Sequence, residues 1–525
     1  KNSIRITDLL ISLIIGSINN VDNISIDEPA YLLDKIKNKI QLFDGDQTRF
    51  IYETINNKKI IKIQGLSGSG KTELLLHKLK EIYIQNSESK ILFTCHNRIL
   101  ARDLKRRIPD FFNFMRVEKQ IDWNNLLCVH AWGNTQFPYS GAYRYITNFY
   151  GLSFHTYSKI FNFDKVCQKA LSELNNLVIS EFAFDYIFID ESQDFPDSFI
   201  KLCEKVCAHT IFVAGDVFQN IFENKDSEYV EASFILKKCY RTDPRTLMFA
   251  HAVGMGLFDV KKLNWLTDEH WEASGYKIER RINSEVHLYR EPVKRFEDID
   301  DTFKSMIIQK YEKYTDVVDI IEKIKKENNT VTPDDIAIII LDDSKKIYEH
   351  IDKLEFQIRD KLRWEINRAF DSKNRVPNTI FVSNKNNVKG LEFPFVICLT
   401  NGILNDYKYR NTLYTMITRS FLQSYLLAIN FDNMGIQVDG LEYINKENHI
   451  KTIEPSEEEK IRIQQNLLRI KEEKNISYYD FLTEIFNDLK IDSKCRKKLE
   501  EPINNAIDDK FNKDLIIKFI KIPHN

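Results

Sequence analysis

An excess of charge of one sign is missing from this chain. Lys and Arg number 75 against 77 Asp and Glu in 525 residues, a formal net charge of -2. That excludes a molecule basic over its whole surface, so any face that meets a polyanion must be local and offset by acidic faces elsewhere. Paired cysteines are missing too. Cys95, Cys128, Cys167, Cys203, Cys207, Cys239, Cys398 and Cys495 form no C-x-x-C pair, and Cys203 and Cys207 share helical i, i+4 spacing. Most lie in apolar runs and read as reduced, buried thiols of the cytoplasm, not as disulfides or a zinc or iron–sulfur centre. Near the start no apolar run is long enough for a bilayer: Leu9–Ile18 is broken by Ser12, Gly16 and Ser17. With Lys1 and Arg5 it loosely mimics a secretory leader, but intracellular chemistry downstream favours a packed helix. Solenoid repeats and low-complexity linkers are absent. The chain begins at Lys1 rather than Met, which predicts a piece of a longer protein with a further N-terminal domain.

What is present is a chain with 43% hydrophobic and 29% charged residues, too long for one core and expected to form two to four domains. From Lys58 apolar strands alternate with amphipathic helices: Ile60–Ile63, Ile91–Thr94, Leu126–Val129, Tyr186–Ile189 and Ile211–Ala214. A second series follows in Glu285–Tyr289, Ile336–Leu341, Ile380–Val382, Phe395–Leu399 and Tyr425–Ile429. This rhythm predicts an α/β fold with parallel sheets. From Ser456 the chain reads as helix, with Ser456 and Glu459 in a capping-box pattern and Ile463, Leu467 and Ile470 on one face.

Two motifs carry chemistry. Gly65-Leu66-Ser67-Gly68-Ser69-Gly70-Lys71-Thr72 fits G-x-x-x-x-G-K-[ST], follows an apolar strand and opens a helix near Glu73. Its glycines let backbone N–H groups converge on phosphate oxygens at the positive end of a helix. Lys71 is expected to meet the β- and γ-phosphates of ATP, and Thr72 to hold Mg²⁺. Second, the strand Tyr186–Ile189 runs into Asp190 and Glu191. An acidic pair after a strand is by itself usually a solvated turn. Beside a P-loop, Asp190 is placed to hold Mg²⁺ and Glu191 to polarise the attacking water.

Asp190-Glu191-Ser192-Gln193-Asp194 resembles the DExQD box of UvrD/Rep-like superfamily-1 helicases, and other boxes follow in that family's order. Gln47 resembles the glutamine that reads adenine. Thr94, His96, Asn97, Arg102 and Lys105 fall in a segment similar to one that grips single-stranded DNA, and His130 and Trp132 in a further strand-contacting box. Gly215-Asp216-Val217-Phe218-Gln219 is similar to the GDxxQ box, whose glutamine senses the γ-phosphate. Tyr240-Arg241 resembles a pair that stacks on adenine and meets phosphate. Lys389-Gly390-Leu391-Glu392-Phe393 matches the KGLEF box, and Arg419 resembles an arginine that reaches the γ-phosphate from the second domain. The resemblance implies two RecA-like motor domains, at 45–241 with an insertion at about 109–180 and at 242–443. Helical extensions flank them at 1–44 and 444–525. It further implies nucleotide contacts by Gln47, Gly65, Ser67, Gly68, Ser69, Gly70, Lys71, Thr72, Glu73, Tyr240, Gly390 and Glu392.

The strand contacts stay open between two readings. Arg102, Lys105, Arg106 and Arg107 are either a solvated helix face or a phosphate grip. Trp132, Phe218 and Phe222 either stack on bases or belong to the core. Lys385 and Lys389 are phosphate candidates by the same argument. Asn384 and Asn386 stand where the family has threonine and histidine, and Asn224 where an aromatic is common. The large accessory domain of UvrD-like enzymes is reduced or missing between Arg241 and Lys389. The resemblance implies 3′-to-5′ movement on single-stranded DNA, with RNA left open. The alternative is an ATP-dependent clamp that gates a partner or fused effector such as a nuclease, in repair or anti-phage defence.

Overall fold

The computed structural model describes residues 29–37, 43–52, 58–66, 68–158, 160–216, 233–236, 239, 242–290, 299–300, 302–342, 345–372, 374–385 and 387–475, with a few short pieces beyond. The chain is a mixed α/β protein with two parallel sheets of the RecA-like type and helical extensions.

Two short helices come first, α1 (Leu32–Lys37) and α2 (Gly45–Tyr52). The first sheet has the order β3-β2-β4-β5-β1-β6. Its strands are β1 (Ile60–Gly65), β2 (Ile91–Cys95), β3 (Leu126–His130), β4 (Phe184–Ile189), β5 (Cys207–Asp216) and β6 (Phe234–Leu236). All pair in parallel. Near-continuous apolar runs such as Ile91–Cys95 suit this, because helices cover both faces. One face packs on α3 (Lys71–Gln85) and α4 (Arg98–Phe114). The other packs on α5 (Ala142–Phe149), α6 (Phe163–Asn175) and α7 (Asp197–Val206). Pro109 sits inside α4, and β3 belongs to the sheet. The chain therefore leaves the sheet after His130, later than the expected insertion boundary.

The second sheet has the order β11-β12-β10-β13-β14-β9, again all parallel. It comprises β9 (Met306–Lys310), β10 (Ile336–Ile340), β11 (Glu365–Arg368), β12 (Thr379–Asn384), β13 (Phe393–Thr400) and β14 (Ser420–Ala428). Around it lie α8 (Pro244–Met255), α9 (Asp268–Ala273), α10 (Thr315–Glu327), α11 (Lys345–Leu362), α12 (Tyr407–Ile417) and α13 (Gly435–Glu447). The segment Glu285–Tyr289 is a strand, but it does not join this sheet. It is β8 in a separate antiparallel sheet with β7 (Lys277–Arg280) and β15 (His449–Ile453). Its one-sided burial, with Val286 and Leu288 inward, is what an antiparallel sheet with one covered face requires.

The two halves of the chain touch. Leu66 and Ile99 from the first half are buried in the same apolar cluster as Val388 and Leu391 of the second. A Cβ added at Gly390, where φ is +77°, would stand 2.4 Å from Leu100 Cδ2. After β15, α14 (Glu457–Asn475) starts with a closed capping box. Ser456 N–H donates to Glu459 Oε2 at 3.0 Å, and Glu459 N–H donates to Ser456 Oγ at 3.3 Å. The seven described cysteines are all free and buried. No helix among the described residues is long and apolar enough to cross a membrane.

Candidate nucleotide site and strand face

Strand β1 ends at Gly65, where a Cβ would meet Ser69 Oγ at 2.4 Å and Leu236 Cβ at 2.8 Å. The turn needs left-handed backbone at Gly68 (φ 81°) and Gly70 (φ 86°), which glycine adopts without cost. Gly70 caps α3 with no side-chain hydrogen bond, so the first-turn N–H groups face the loop. Such a terminus suits an anion. Lys71 is buried and folds back over the loop, its Nζ donating to the carbonyls of Gly65 (3.0 Å) and Leu66 (2.8 Å). Gln47 is enclosed beside it. Its Oε1 accepts from Asp44 N–H (2.9 Å), and its Nε2 donates to the carbonyl of Ser69 (3.1 Å). The side chain expected to read adenine thus also closes the capping box of α2 and props the P-loop.

Below the loop, Thr72 Oγ1 donates to Asp190 Oδ2 at 2.8 Å. A hydroxyl and a carboxylate are the hard oxygen donors that Mg²⁺ takes, so the residues present fit that ion. Burial, then the neighbouring Glu191, pushes the Asp190 carboxyl up to about 6. Glu191 itself has left-handed backbone (φ 52°), uncommon for a non-glycine residue. Gln193 holds it there: Nε2 donates to Glu191 Oε2 at 2.5 Å, while Oε1 accepts from the N–H of Asp216 at 2.9 Å. Gln193 therefore ties the acidic box to the end of β5, a role that sequence reasoning did not give it.

From the second sheet, Arg419 is buried at the junction of α12 and β14, with Nε donating to Thr415 O at 3.0 Å. The preceding Tyr414 is in electrostatic contact with Asp216 of the first sheet and with Arg419. Gly390 and Glu392 stand on the loop that abuts α4. Arg107 of α4 is the cation that sequence reasoning misplaced. It pairs with Glu73 just after Thr72, and Glu392 and Asp190 are also among its electrostatic neighbours. Burial works against its charge, but these carboxylates outweigh it and raise its pKa.

In the basic cluster of α4, Arg102, Lys105 and Arg106 share the exposed face, whereas Arg107 turns toward Glu73. Arg102 donates to Asn374 of the second half, Lys105 lies 5.1 Å from the Trp123 ring, and Arg106 pairs with Asp103. Other strand candidates also have local duties. Thr94 is 1% exposed, on the same face of β2 as Leu92, which withdraws its hydroxyl from a passing strand. Asn97 caps α4 by accepting from Ile99 and Leu100 N–H, and its Nδ2 donates to Lys389 O at 3.4 Å. Trp132 donates through Nε1 to His155 O at 2.9 Å. Lys385 stands half-buried after β12.

His96, Arg98, His130, Trp132, Thr156 and Tyr157 are brought together around a cavity of about 330 Å³. His130 Nε2 accepts from Gly133 N–H, and burial, aided by Arg98, lowers its pKa to about 4. The interior is thus aromatic and uncharged, with Arg98 in the wall. Ser67, Gln219, Phe222, Tyr240 and Arg241 lie outside the described residues, as do Phe218, Asn224 and Asn386.

Residues 379–427, which carry Gly390, Glu392 and Arg419, match the UvrD-like helicase C-terminal domain. Residues 30–213, which carry Gln47, the P-loop and the acidic box, match the Type III restriction enzyme, res subunit. No curated protein matches the chain. One solved structure with a local likeness is the C-terminal domain of a possible DNA helicase from Lactobacillus plantarum WCFS1. It is 21% identical over 24% of this chain and 73% of that one, with a TM-score of 0.19. The two domain matches, one on each parallel sheet, support a helicase superfamily and imply an NTP-hydrolysing protein that acts on nucleic acid.

Proposed function

We propose that the chain is an ATP-driven motor that travels on single-stranded nucleic acid, DNA in the first instance, in the manner of the UvrD/Rep-like helicases it resembles. The reading is carried by one observation: Thr72 of the P-loop helix and Asp190 of the acidic box meet at 2.8 Å beside a glycine-built anion site. Bound Mg²⁺·ATP supplies the scissile phosphoanhydride. With nucleotide bound, Lys71 would exchange the Gly65 and Leu66 carbonyls for phosphate oxygens, and Thr72 and Asp190 would hold the cation. Glu191, fixed by Gln193, accepts the proton of the attacking water. Arg419 lies on the far side of the cleft, and its planar fork suits two phosphate oxygens once it leaves Thr415. Arg241, Gln219 and Tyr240 complete the set by their place in the ordered boxes. The strand crosses the His96–Trp132–Tyr157 cavity and reaches Lys385 on the second sheet, so each turnover moves one sheet along it. Movement is 3′-to-5′ by resemblance.

Steady-state ATP hydrolysis with single-stranded DNA, duplex DNA and RNA tests this. Single-stranded DNA should stimulate most, and Arg419→Ala should bind ATP almost normally while losing most of that stimulation. A rate indifferent to all three polymers would sink the motor reading.

A second reading is an ATP-dependent clamp that gates an effector such as a nuclease. It is favoured by what lies between Thr242 and Gly390: among the described residues, four of the six strands of the second parallel sheet (β9 to β12), helices α8 to α11 and two strands of the small antiparallel sheet, with no large accessory domain. A strand-displacement assay separates the two, since a clamp hydrolyses ATP on DNA without unwinding it.

A further inference from the structure

The N-terminal helices have a place that neither motor sheet explains alone. Helix α1 belongs to the second sheet's core: Leu33 and Ile36 are 0% and 1% exposed, in a cluster with Val317, Val331 and Ile336. Three polar contacts fix the same helix. Asn329 Nδ2 donates to Tyr31 Oη (2.8 Å), Thr330 Oγ1 donates to Asp34 Oδ2 (2.7 Å), and Lys37 Nζ lies 2.7 Å from Asp335 Oδ1. Six positions later the chain is anchored to the first sheet. Phe43 packs edge-on against His77, Asp44 and Gln47 exchange capping hydrogen bonds, and Gln47 Nε2 meets Ser69 O in the P-loop. Five residues, 38–42, separate Lys37 from Phe43. Fully extended, that connection reaches roughly 20 Å.

We propose that the anchors at 31–37 and 43–47 tie the two halves to each other, as the two ends of a strap, and that Leu33, Asp34, Ile36 and Lys37 are positioning residues for Gln47 at the P-loop. The proposal rests on the reading of that loop as the nucleotide site. Because the tether is short, a displacement of the second sheet on this side is transmitted to the Asp44–Gln47 capping box and from there to the Ser69 carbonyl. By linkage, the factor by which α1 docking changes nucleotide affinity at the P-loop is the factor by which bound nucleotide changes α1 docking. A helix present only to cover the second sheet would not need its contacts so close in sequence to those of the P-loop.

The test separates tethering from packing. Eight Gly/Ser residues inserted after Lys37 leave both anchors intact and lengthen the connection from 5 to 13 residues. Loop-closure scaling then weakens the mutual support of the anchors by about fourfold. The expected result is a roughly fourfold rise in KM for ATP with kcat and Tm near the parent values. Leu33→Asp with Ile36→Asp should raise KM similarly and lower Tm, and Ile36→Leu should behave as the parent. A second readout needs no turnover: dyes at Glu88→Cys and Lys361→Cys, exposed on the first and second halves, report the spread of sheet separations without nucleotide. The insertion should broaden it. An insertion variant with the parent's distance spread overturns the strap. A parent that hydrolyses no ATP overturns only the nucleotide reading, because the distance measurement still decides the strap.

Discussion

Lys389, from the loop between β12 and β13, reaches across the cleft to Asp194, the last residue of the acidic box, with Nζ 2.5 Å from Oδ1. The lysine stays 40% exposed and the aspartate 12%, so this is a partly screened pair worth on the order of 0.5–1 kcal/mol. It joins the second sheet to the segment that positions Glu191. Lys389→Ala and Asp194→Asn should each reduce strand-stimulated hydrolysis ~2–5-fold, that energy expressed as a rate. The double variant should be no worse than either single one. Fully additive losses in a double-mutant cycle would show that the pair carries no coupling.

Lys71 and Glu191 should fail differently. Lys71→Ala should weaken both ATP binding and turnover, because the cation leaves the loop. Glu191→Gln keeps the Thr72–Asp190 contact and should still bind ATP, but hydrolyse it ~10²–10⁴-fold more slowly. Nucleotide affinity measured beside single-turnover rates checks this, and a Glu191→Gln protein that turns over normally removes the base from the mechanism.

Arg107 and Trp132 should separate the two sites. Arg107→Ala should raise KM for ATP and leave the salt slope of strand binding unchanged, since Arg107 faces Glu73 and Glu392 rather than a strand. Trp132→Ala should weaken strand binding by ~1–3 kcal/mol with the same salt slope, because a ring releases no counterions. Strand titrations over a range of salt concentrations distinguish these outcomes. A shallower slope in Arg107→Ala would return that residue to the strand face.

Acid should destabilise the protein in part through His251. This ring is fully buried against Tyr276, with Nδ1 2.6 Å from the hydroxyl, and burial, then Arg290, holds its pKa well below the ordinary value of 6.5. The unfolded chain takes up a proton near pH 6.5 and the folded one does not. The stabilisation of the neutral ring is therefore present above that pH and lost as pH falls below it. His251→Phe should cost ~1–3 kcal/mol at pH 7, because the buried Tyr276 hydroxyl loses the imidazole and keeps only Arg290. It should also flatten the fall in Tm between pH 7 and pH 5. An unchanged pH slope would show that other groups set the acid limit.

Much of the fold is written in the type of apolar pattern. Continuous runs such as Ile91–Thr94 and Phe395–Leu399 read as strands, and they fall within β2 and β13, which are buried along their whole length. The alternation in Glu285–Tyr289 carried the opposite message, and the segment lies in the antiparallel sheet. Met306–Lys310 and Glu365–Arg368 are edge strands with polar ends, and their composition hides them. In the site, the P-loop and the acidic box were legible because their chemistry is local. Arg107 was grouped with its basic neighbours. Yet it stands at i+7 and i+3 from the buried Leu100 and Leu104, partly exposed at the edge of the covered side of α4, and that spacing was the available signal. Thr94 shares a face with Leu92 by the same logic of period two. Nothing local in Leu32–Lys37 says that it docks on the second sheet, because its partners lie almost 300 residues away.

Gly390 has a further meaning. At this point the distance between the two halves is gauged by the absence of a methyl group: a Cβ would meet Leu100 at 2.4 Å, and the backbone there is left-handed. Any larger residue would act as a shim, wedging the halves apart at the seam that Leu66, Ile99 and Leu391 also form. The obstruction would be with the tip of one leucine side chain, so trimming Leu100 is the change that could let the seam close again. Trimming Leu100 clears the space but leaves the left-handed backbone, so glycine stays the residue that fits this position without strain.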